Sequence, residues 1–598
     1  MNETPTPEPS PPEPCAPAPP QGLPRLRFPA ICLVLFWGLS FGMGAFDKPY
    51  FIEFMSRMAS TALLTALLLG WWWFSRGLGF RDKLFGFLLV CVEAALAARF
   101  SHRSIGPFGI WMGVVPLMAS LIVIWFFLAK RLALRWVRAG AALVATVTLG
   151  SSLLARVDGA DSSLRTKRHW RWTPTTEEQF LANTRSLPAA AWRPQPGPGA
   201  SLEPSALDWV AFRGKDRDGV VHGTTIATNW TEHAPNLVWK HGVGPAWSSL
   251  IVVGNRLFTQ EQRGEKELVV CYDAGSGAEV WAHEDMTRFD EPVSGPGPRA
   301  TPTFAGGRLY ALGGTGRLNC LETGTGRVVW TRDIKEDSGA PVPMWAFASS
   351  PLVSEQLVIV HAGGEAGKGL LAYRAASGEL AWAVPAGLSS YSSPQLTTLA
   401  GVPQCLMLHD SGLTAVDPAT GKKFWQTGLA IKNSPRSGQP RLVGGNQLLV
   451  AALGGLGCSL VEVSRKGDDW TVSSKWDTRE LKPEFPDFVV HQGHAYGFDV
   501  ALFCCLELAN GKRTWKEGRY GRGQVVLLAD QGALLISSET GELILLAADA
   551  RAHNELGRFQ AVEGKTWNHA VVRGDRLYLR NAQEMACYSA SAQGARGN

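Results

Sequence analysis

The chain has 598 residues, enough for several domains or one long repeat array, and its net charge of +6 is too small at that length to suggest a nucleic-acid partner. Glycine (65) and tryptophan (23) are abundant while charged residues make up only 18%, a composition that suits turn-rich β-structure, membrane spans or both. The ten cysteines include no CxxC pair and no zinc-finger spacing with histidine, which excludes a structural metal framework of that kind.

Residues 1–27 form a proline-dense tail, expected to be disordered and unable to bury a core. Cys15 has no apolar run before it, so the tail is not a lipoprotein signal. Residues 28–155 read as a membrane block. Phe28–Phe46, Met58–Ser75, Ser104–Ala129 and Ala139–Ala155 are uncharged runs near the ~20 residues that cross a bilayer. Leu84–Ala98 is shorter and carries Glu93, so about five helices are expected, with four as the rival count. Basic residues cluster in the tail (Arg25, Arg27), the second loop (Arg76, Arg81, Lys83) and the fourth (Lys130, Arg131, Arg135, Arg138). The first and third loops carry only Lys48 with Arg57, and Arg99 with Arg103. This bias places the tail in the cytoplasm, and five crossings put the C-terminal domain outside, whereas four would leave it in the cytosol. Glu93 is either a group in a proton or quinone path or a glutamate facing other helices.

Residues 156–205 are a juxtamembrane linker. "RTKRHWRW" (165–172) is a basic aromatic patch suited to lipid headgroups, and "TPTTEEQFLA" predicts one short capped helix.

Residues 206–598 carry a repeat. "CYDAGSGAEVW" ends at Trp281, "CLETGTGRVVW" at Trp330, "YRAASGELAW" at Trp382, "AVDPATGKKFW" at Trp425 and "CLELANGKRTW" at Trp515. Weaker copies end at Trp476 and near Phe559, and "CYSA" at Cys587 opens a truncated last one. The tryptophans lie between 39 residues (Trp476 to Trp515) and 52 residues (Trp330 to Trp382) apart, a spacing that fits a propeller blade. Each copy reads as a strand ending at the acid, a tight turn, and a new strand whose tryptophan spreads over the neighbouring blade, with the small Ala or Cys where the close-packed sheet leaves little room. A second element precedes each copy, from "WSSLIVVGNRLF" (247–258) to "WNHAVVRGDRLYL" (567–579), making eight openings. The last unit has no closing motif, and "NLVWK" (236–240) precedes the first, so the N-terminal strand is expected to complete the eighth blade. The fold expected is an all-β eight-bladed propeller after an α-helical transmembrane domain.

The pattern A-x-D-x-x-T-G-x-x-x-W, complete at Ala415, Asp417, Thr420, Gly421 and Trp425, resembles the pyrroloquinoline quinone (PQQ) repeat of the quinoprotein alcohol dehydrogenase-like propeller superfamily. "WVAFRGKDRDG" (209–219) and "GHAYGFD" (493–499) are similar to segments of uncharacterised membrane-anchored bacterial members. The superfamily includes PQQ-dependent dehydrogenases and cofactor-free propellers, among them the lipoprotein scaffold of the outer-membrane β-barrel assembly machinery. The resemblance therefore implies either a non-catalytic module that binds a periplasmic protein or small ligand, or a dehydrogenase of sugars or alcohols that passes electrons to quinone.

If the second element starts the innermost strand of each blade, its first residues line one mouth of the channel. Trp247, Arg299, Asp487, Arg522, Gln524, Asn568 and His569 are the candidate ligand-binding set there, against a polar water-filled channel as the alternative. A dehydrogenase would cast Asp487, Asn568, Arg299 and Trp247 or Trp567 as base, cation ligand, quinone partner and floor. No glutamate among the strand starts completes a calcium site, however, so no catalytic residue and no metal is assigned. Cys504 and Cys505 are either buried thiols or an oxidised vicinal pair. "GGEAGKG" (363–369) is one residue short of a phosphate-binding loop, and "HQGH" (491–494) lacks a third metal ligand. The expected location is a bacterial inner membrane, with no cofactor required.

Overall fold

A computed structural model describes residues 24–43, 50–161, 166–186, 202–428, 437–451, 457–485 and 487–591. The proline-dense tail up to residue 23 and the linker stretch 187–201 lie outside the described residues. The chain divides into a mainly helical unit, residues 1–43 and 55–156, and a mainly β unit, residues 157–598 with 44–54.

In the helical unit, helices run over Arg27–Met43, Tyr50–Phe74, Phe80–Phe100 and Leu134–Leu154, and Gly106–Leu128 is helical with a π-helical turn at Ile110–Val114. Among the described residues three are long and apolar enough to cross a membrane: Ile52–Phe74, Gly106–Arg131 and Leu134–Leu154. Arg27–Gly42 is apolar but shorter, so the expected count of five crossings is reduced to three that meet both criteria. The segment around Glu93 is helical, but it also holds Arg81, Asp82, Lys83 and Arg99, which lower its apolar character. Glu93 faces a neighbouring helix, where Thr146 Oγ1 donates to its carboxylate at 2.5 Å.

The β unit is a ring of eight sheets, antiparallel except where Val220–Val221 pairs in parallel with Leu527 and Leu528 at the inner edge of blade 7. Blades 1 to 7 open at Ile251, Thr303, Leu352, Gln395, Arg441, Val489 and Gln524, each running outward in sequence order. Blade 8 takes three strands from Val571–Ser589, and its outermost strand is Asn236–Gly242 from before blade 1. The ring is closed by its own N-terminal strand, as the unpaired "NLVWK" requires. Arg580, which is fully buried, ties the seam by donating to Thr259 Oγ1 (2.8 Å), Gln260 O (2.9 Å) and Gly244 O (2.8 Å) of the first blade's side.

The repeat motif has one geometry throughout. The small residue lies directly across the ladder from the tryptophan: Cys271 with Trp281, Cys320 with Trp330, Ala372 with Trp382, Ala415 with Trp425, Cys505 with Trp515 and Cys587 with Trp239. A register shift follows the small residue in each case, which bends the outer strand and turns the indole toward the next blade. There the indole N–H of Trp281 donates to Thr323 O (2.9 Å), that of Trp330 to Ala375 O (2.9 Å) and that of Trp515 to Asp549 O (2.9 Å) in the next blade's turn, whereas that of Trp425 donates to Gln404 Oε1 of its own blade (2.8 Å). The turn glycine lies under that indole with positive φ, as in Gly378 (74°) against Trp330 and Gly421 (73°) against Trp382. Only glycine suits both demands, a left-handed backbone and an aromatic face where a Cβ would sit. Blade 7 has Gly557 where a tryptophan would pair, opposite Leu545, and Trp230 from the preceding segment covers that strand, packing 5.5 Å from Phe559. Cys504 and Cys505 are free, buried thiols on opposite faces of one strand.

Candidate functional site: the central channel and its mouth

Eight inner strands bring polar strand starts to a common axis, and residues 209–221 pair with the inner edges of blades 1, 2 and 7. Three of the expected residues, Asp487, Gln524 and Asn568, join side chains from the other strand starts in a closed belt. The N–H of Ser249 donates to Thr301 Oγ1 (3.0 Å), that of Thr301 to Ser350 Oγ (2.9 Å), and that of Ser350 to Ser393 Oγ (2.9 Å). With its amide turned to match its neighbours, Gln439 accepts from Ser393 N (3.0 Å). The N–H of Gln439 donates to Asp487 (3.0 Å) and that of Asp487 to Gln524 Oε1 (3.3 Å). Gln524 then donates to Trp567 O (3.0 Å), and Asn568 to Ser248 O (2.8 Å), which returns the belt to blade 1. The equivalent position of every repeat thus satisfies the backbone of an adjacent blade, which buried polar groups require.

A plug crosses the channel inside this belt. Residues 208–219 touch all eight blades in turn. Asp208 pairs with Arg573 of blade 8 (2.5 Å), Trp209 exchanges two 2.9 Å backbone bonds with Val252 of blade 1, and Val210 O accepts from Phe304 of blade 2 (2.8 Å). Arg217 donates to Ser350 O (2.9 Å) and Pro351 O (2.8 Å) of blade 3, and Asp216 O accepts from Gln395 of blade 4 (3.3 Å). Asp218 pairs with Arg441 of blade 5 (2.8 Å), Arg213 pairs with Asp487 of blade 6 (3.1 Å), and Gly219 O accepts from Leu527 of blade 7 (2.8 Å). Trp209, Ala211, Arg213 and Arg217 are all buried, so the channel at this level is packed with protein. Burial pushes Asp487 up and Arg213 down, each toward its neutral form, while each holds its partner charged. His569 lies edge-on to Phe212 (5.2 Å), and burial holds its pKa well below the usual imidazole range.

The remaining members of the set sit at the mouth. Arg299 donates to Gly295 O (2.7 Å), Gly297 O (2.7 Å), Pro296 O (3.2 Å) and Ser294 Oγ (3.1 Å), so it organises its own loop. Arg522 forms a buried ion pair with Glu484. Trp247 donates to Ser294 O (3.0 Å) and packs on Trp567 with ring centroids 4.8 Å apart, and Phe485 closes on the other side at 4.9 Å. Lys565, which sequence reasoning missed, lies over Trp567 (4.4 Å) and Trp247 (5.1 Å).

Lys565 also fixes a juxtamembrane element. Its Nζ donates to Ala160 O (2.9 Å) and Val293 O (3.2 Å), and Ala160 N donates to the same Val293 carbonyl (2.8 Å). Ala160 ends the first strand of a hairpin whose second strand is Thr166–Trp170, and the patch expected at lipid headgroups is exposed there, with Trp170 and Trp172 stacked 5.3 Å apart. The predicted capped helix spans Thr176–Ser186. Thr175 and Glu178 cap it reciprocally at 3.0 and 2.7 Å, and Glu177 pairs with Arg288 (2.9 Å) on the propeller.

Desolvation lowers the Lys565 pKa to about 8, against 10.5 for a lysine in water. With the hairpin released the ammonium regains water, so the released form binds more protons and docking strengthens as pH rises through that window. Lys565→Ala is expected to speed tryptic cleavage after Lys167, Arg168 and Arg171. The ratio of variant to wild-type rates should be larger at pH 9 than at pH 7.5; equal rates at both would show that Lys565 does not hold the hairpin.

A quinone with its cation would need Asp487, Asn568 and Arg299 free. The plug and the mouth loop engage Asp487 and Arg299; of the three, only Asn568 keeps an acceptor, its Oδ1, without a hydrogen-bond partner among the described residues. Among the described residues no group of three or more His, Cys, Asp or Glu is placed to hold a metal. The residues present do not fit PQQ with calcium.

Comparison with known proteins bears on the ring. The family model described as outer membrane protein assembly factor BamB matches residues 265–517. A Burkholderia pseudomallei protein named outer membrane protein assembly factor BamB is 25% identical over 339 residues, covering 51% of this chain and 78% of its own. Among solved structures, BamB from Moraxella catarrhalis is 14% identical with a TM-score of 0.43, covering 60% of this chain and 99% of its own. Quinohemoprotein alcohol dehydrogenase from Comamonas testosteroni is 12% identical with a TM-score of 0.45, covering 71% and 85%. The eight sheets make the ring an eight-bladed β-propeller, and its repeats over residues 265–517 are similar to those of the matched family.

Proposed function

We propose that this chain is a membrane-anchored, non-catalytic propeller that binds a protein partner on the periplasmic side of a bacterial inner membrane. The plug carries the reading: Arg213 takes Asp487 and the channel is packed where a cofactor-using propeller would keep polar groups open to a ligand. The relative's name, an assembly factor, supports a role directed at proteins. Three helices apolar and long enough to span support the anchor. Five crossings put the basic loops and the tail together in the cytoplasm and the propeller on the opposite side, and the orientation rests on that count.

The test is a titration of the full chain in detergent with PQQ and calcium, read by quenching of tryptophan fluorescence and by dye reduction with sugars and alcohols. No saturable quenching is expected, and photocrosslinkers on the propeller face should capture a discrete periplasmic protein in cells. Calcium-dependent saturation with turnover would overturn the reading in favour of a dehydrogenase.

A further inference from the structure

A cavity of about 230 Å³ opens between the innermost strands of blades 4 and 5, and the plug forms one of its walls. Asp216 and Asp218 of the plug, Gln395 of blade 4 and Arg441 of blade 5 supply its polar lining. Leu396 and Leu442 are its exposed apolar walls, 43% and 37% accessible. Its volume is below the roughly 300–1,000 Å³ of drug-sized ligand sites, so it suits one side chain rather than a cofactor.

Charge decides which side chain. Arg441 is paired with Asp218 at 2.8 Å, whereas the exposed Asp216 carboxylate has no hydrogen bond or ion pair among the described residues. Two carboxylates against one guanidinium leave the cavity with a surplus negative charge. Gln395 adds an independent sign. It is only 6% exposed, its amide nitrogen donates to Asp216 O at 3.3 Å, and its Oε1 is buried with no hydrogen-bond partner among the described residues. A buried, unmatched acceptor is destabilising unless a donor arrives. Arg441 Nε is unmatched too, but so are those of Arg213, Arg217 and Arg288 among the described residues, so a bare arginine Nε is general in this ring and does not mark the cavity as a site for acceptors.

We propose that this cavity receives a single lysine or arginine side chain presented by a partner protein. The aliphatic stem lies along Leu396 and Leu442, and the cationic head donates to Gln395 Oε1 and the Asp216 carboxylate. Long basic side chains divide their stem and head between apolar walls and polar ends in this way. The inference rests on the protein-binding reading above and gives the chemistry of one contact in it.

The experiment uses the full chain in detergent with N-acetyl-lysine amide as probe and N-acetyl-norleucine amide as its uncharged counterpart, followed by isothermal titration and thermal shift. Saturable binding of the lysine probe in roughly the millimolar range is expected, as the limited contact of a single side chain allows. The norleucine probe should bind at least tenfold more weakly. Asp216→Asn should weaken the lysine probe about tenfold without moving the unfolding midpoint, because Asp216 is exposed. Gln395→Met should weaken it also, as a second variant that removes the acceptor. Equal response to both probes, or no saturable lysine response in the wild type, overturns the proposal. Either result leaves the scaffold reading standing, since that reading falls only with cofactor-dependent turnover.

Discussion

Arg213→Ala is expected to lower the unfolding midpoint of the propeller by several degrees and to open residues 209–219 to proteolysis. Arg213 is 2% exposed, its side chain reaches Asp487 at 3.1 Å and Phe488 O at 2.8 Å, and it is the plug's contact with blade 6. Removing one partner of a buried pair costs about 3–5 kcal/mol because the other charge is left without compensation. The loss should exceed that of Asp208→Asn, whose partner Arg573 is partly solvated and can turn to water. The double variant Arg213→Met with Asp487→Asn removes the buried charge while keeping an acceptor for the Gln439 N–H, so it should recover part of the loss. Thermal and denaturant midpoints of the full chain in detergent, with proteolysis of the same samples, give the comparison. A midpoint unchanged by Arg213→Ala would mean that the plug is not integral to the ring.

The second large effect concerns the interlock between blades. A Cβ added at Gly378 would lie 2.7 Å from the Trp330 ring, and its backbone has φ of 74°. Gly378→Ala should therefore cost more than the ~1 kcal/mol of backbone strain alone. Trp330→Ala removes an indole that is 8% exposed and its 2.9 Å bond to Ala375 O, with an expected cost of about 3–5 kcal/mol. The two should be strongly non-additive. In the Trp330→Ala background the added methyl has no ring to meet, so Gly378→Ala should fall back to the backbone term alone. A cycle on thermal midpoints measures this coupling. Additive costs would show that the glycine is needed only for its φ.

The repeat, the number of blades and the closure of the ring by residues 236–242 were all legible in the chain. Each rests on local patterning: a tight turn needs glycine, a ladder fixes which residue lies opposite the tryptophan, and an unmatched strand must find a sheet edge. The capped helix at 176–186 was legible for the same reason, since Thr175 and Glu178 are one helical turn apart. The membrane block was legible in outline, but a segment's hydropathy alone does not separate a crossing from a helix such as Phe80–Phe100 with several charges.

The candidate site divides differently. That polar residues from eight strand starts converge on one axis follows from the repeat itself. What they do there follows from partners hundreds of residues away. Asp487 was a candidate base until Arg213 took it, and Gln524 and Asn568 were candidate ligands until neighbouring blades took their amides. The one signal available was "AFRGKDRDG" itself, a dense run of opposite charges between aromatics and outside every repeat, with no partner of its own in sequence. By itself the sequence determined the ring, because strand, turn and tryptophan spacing are local properties of each copy. Only the tertiary structure decided that the channel is plugged, because an unpaired charge becomes a buried ion pair only when the ring closes around it.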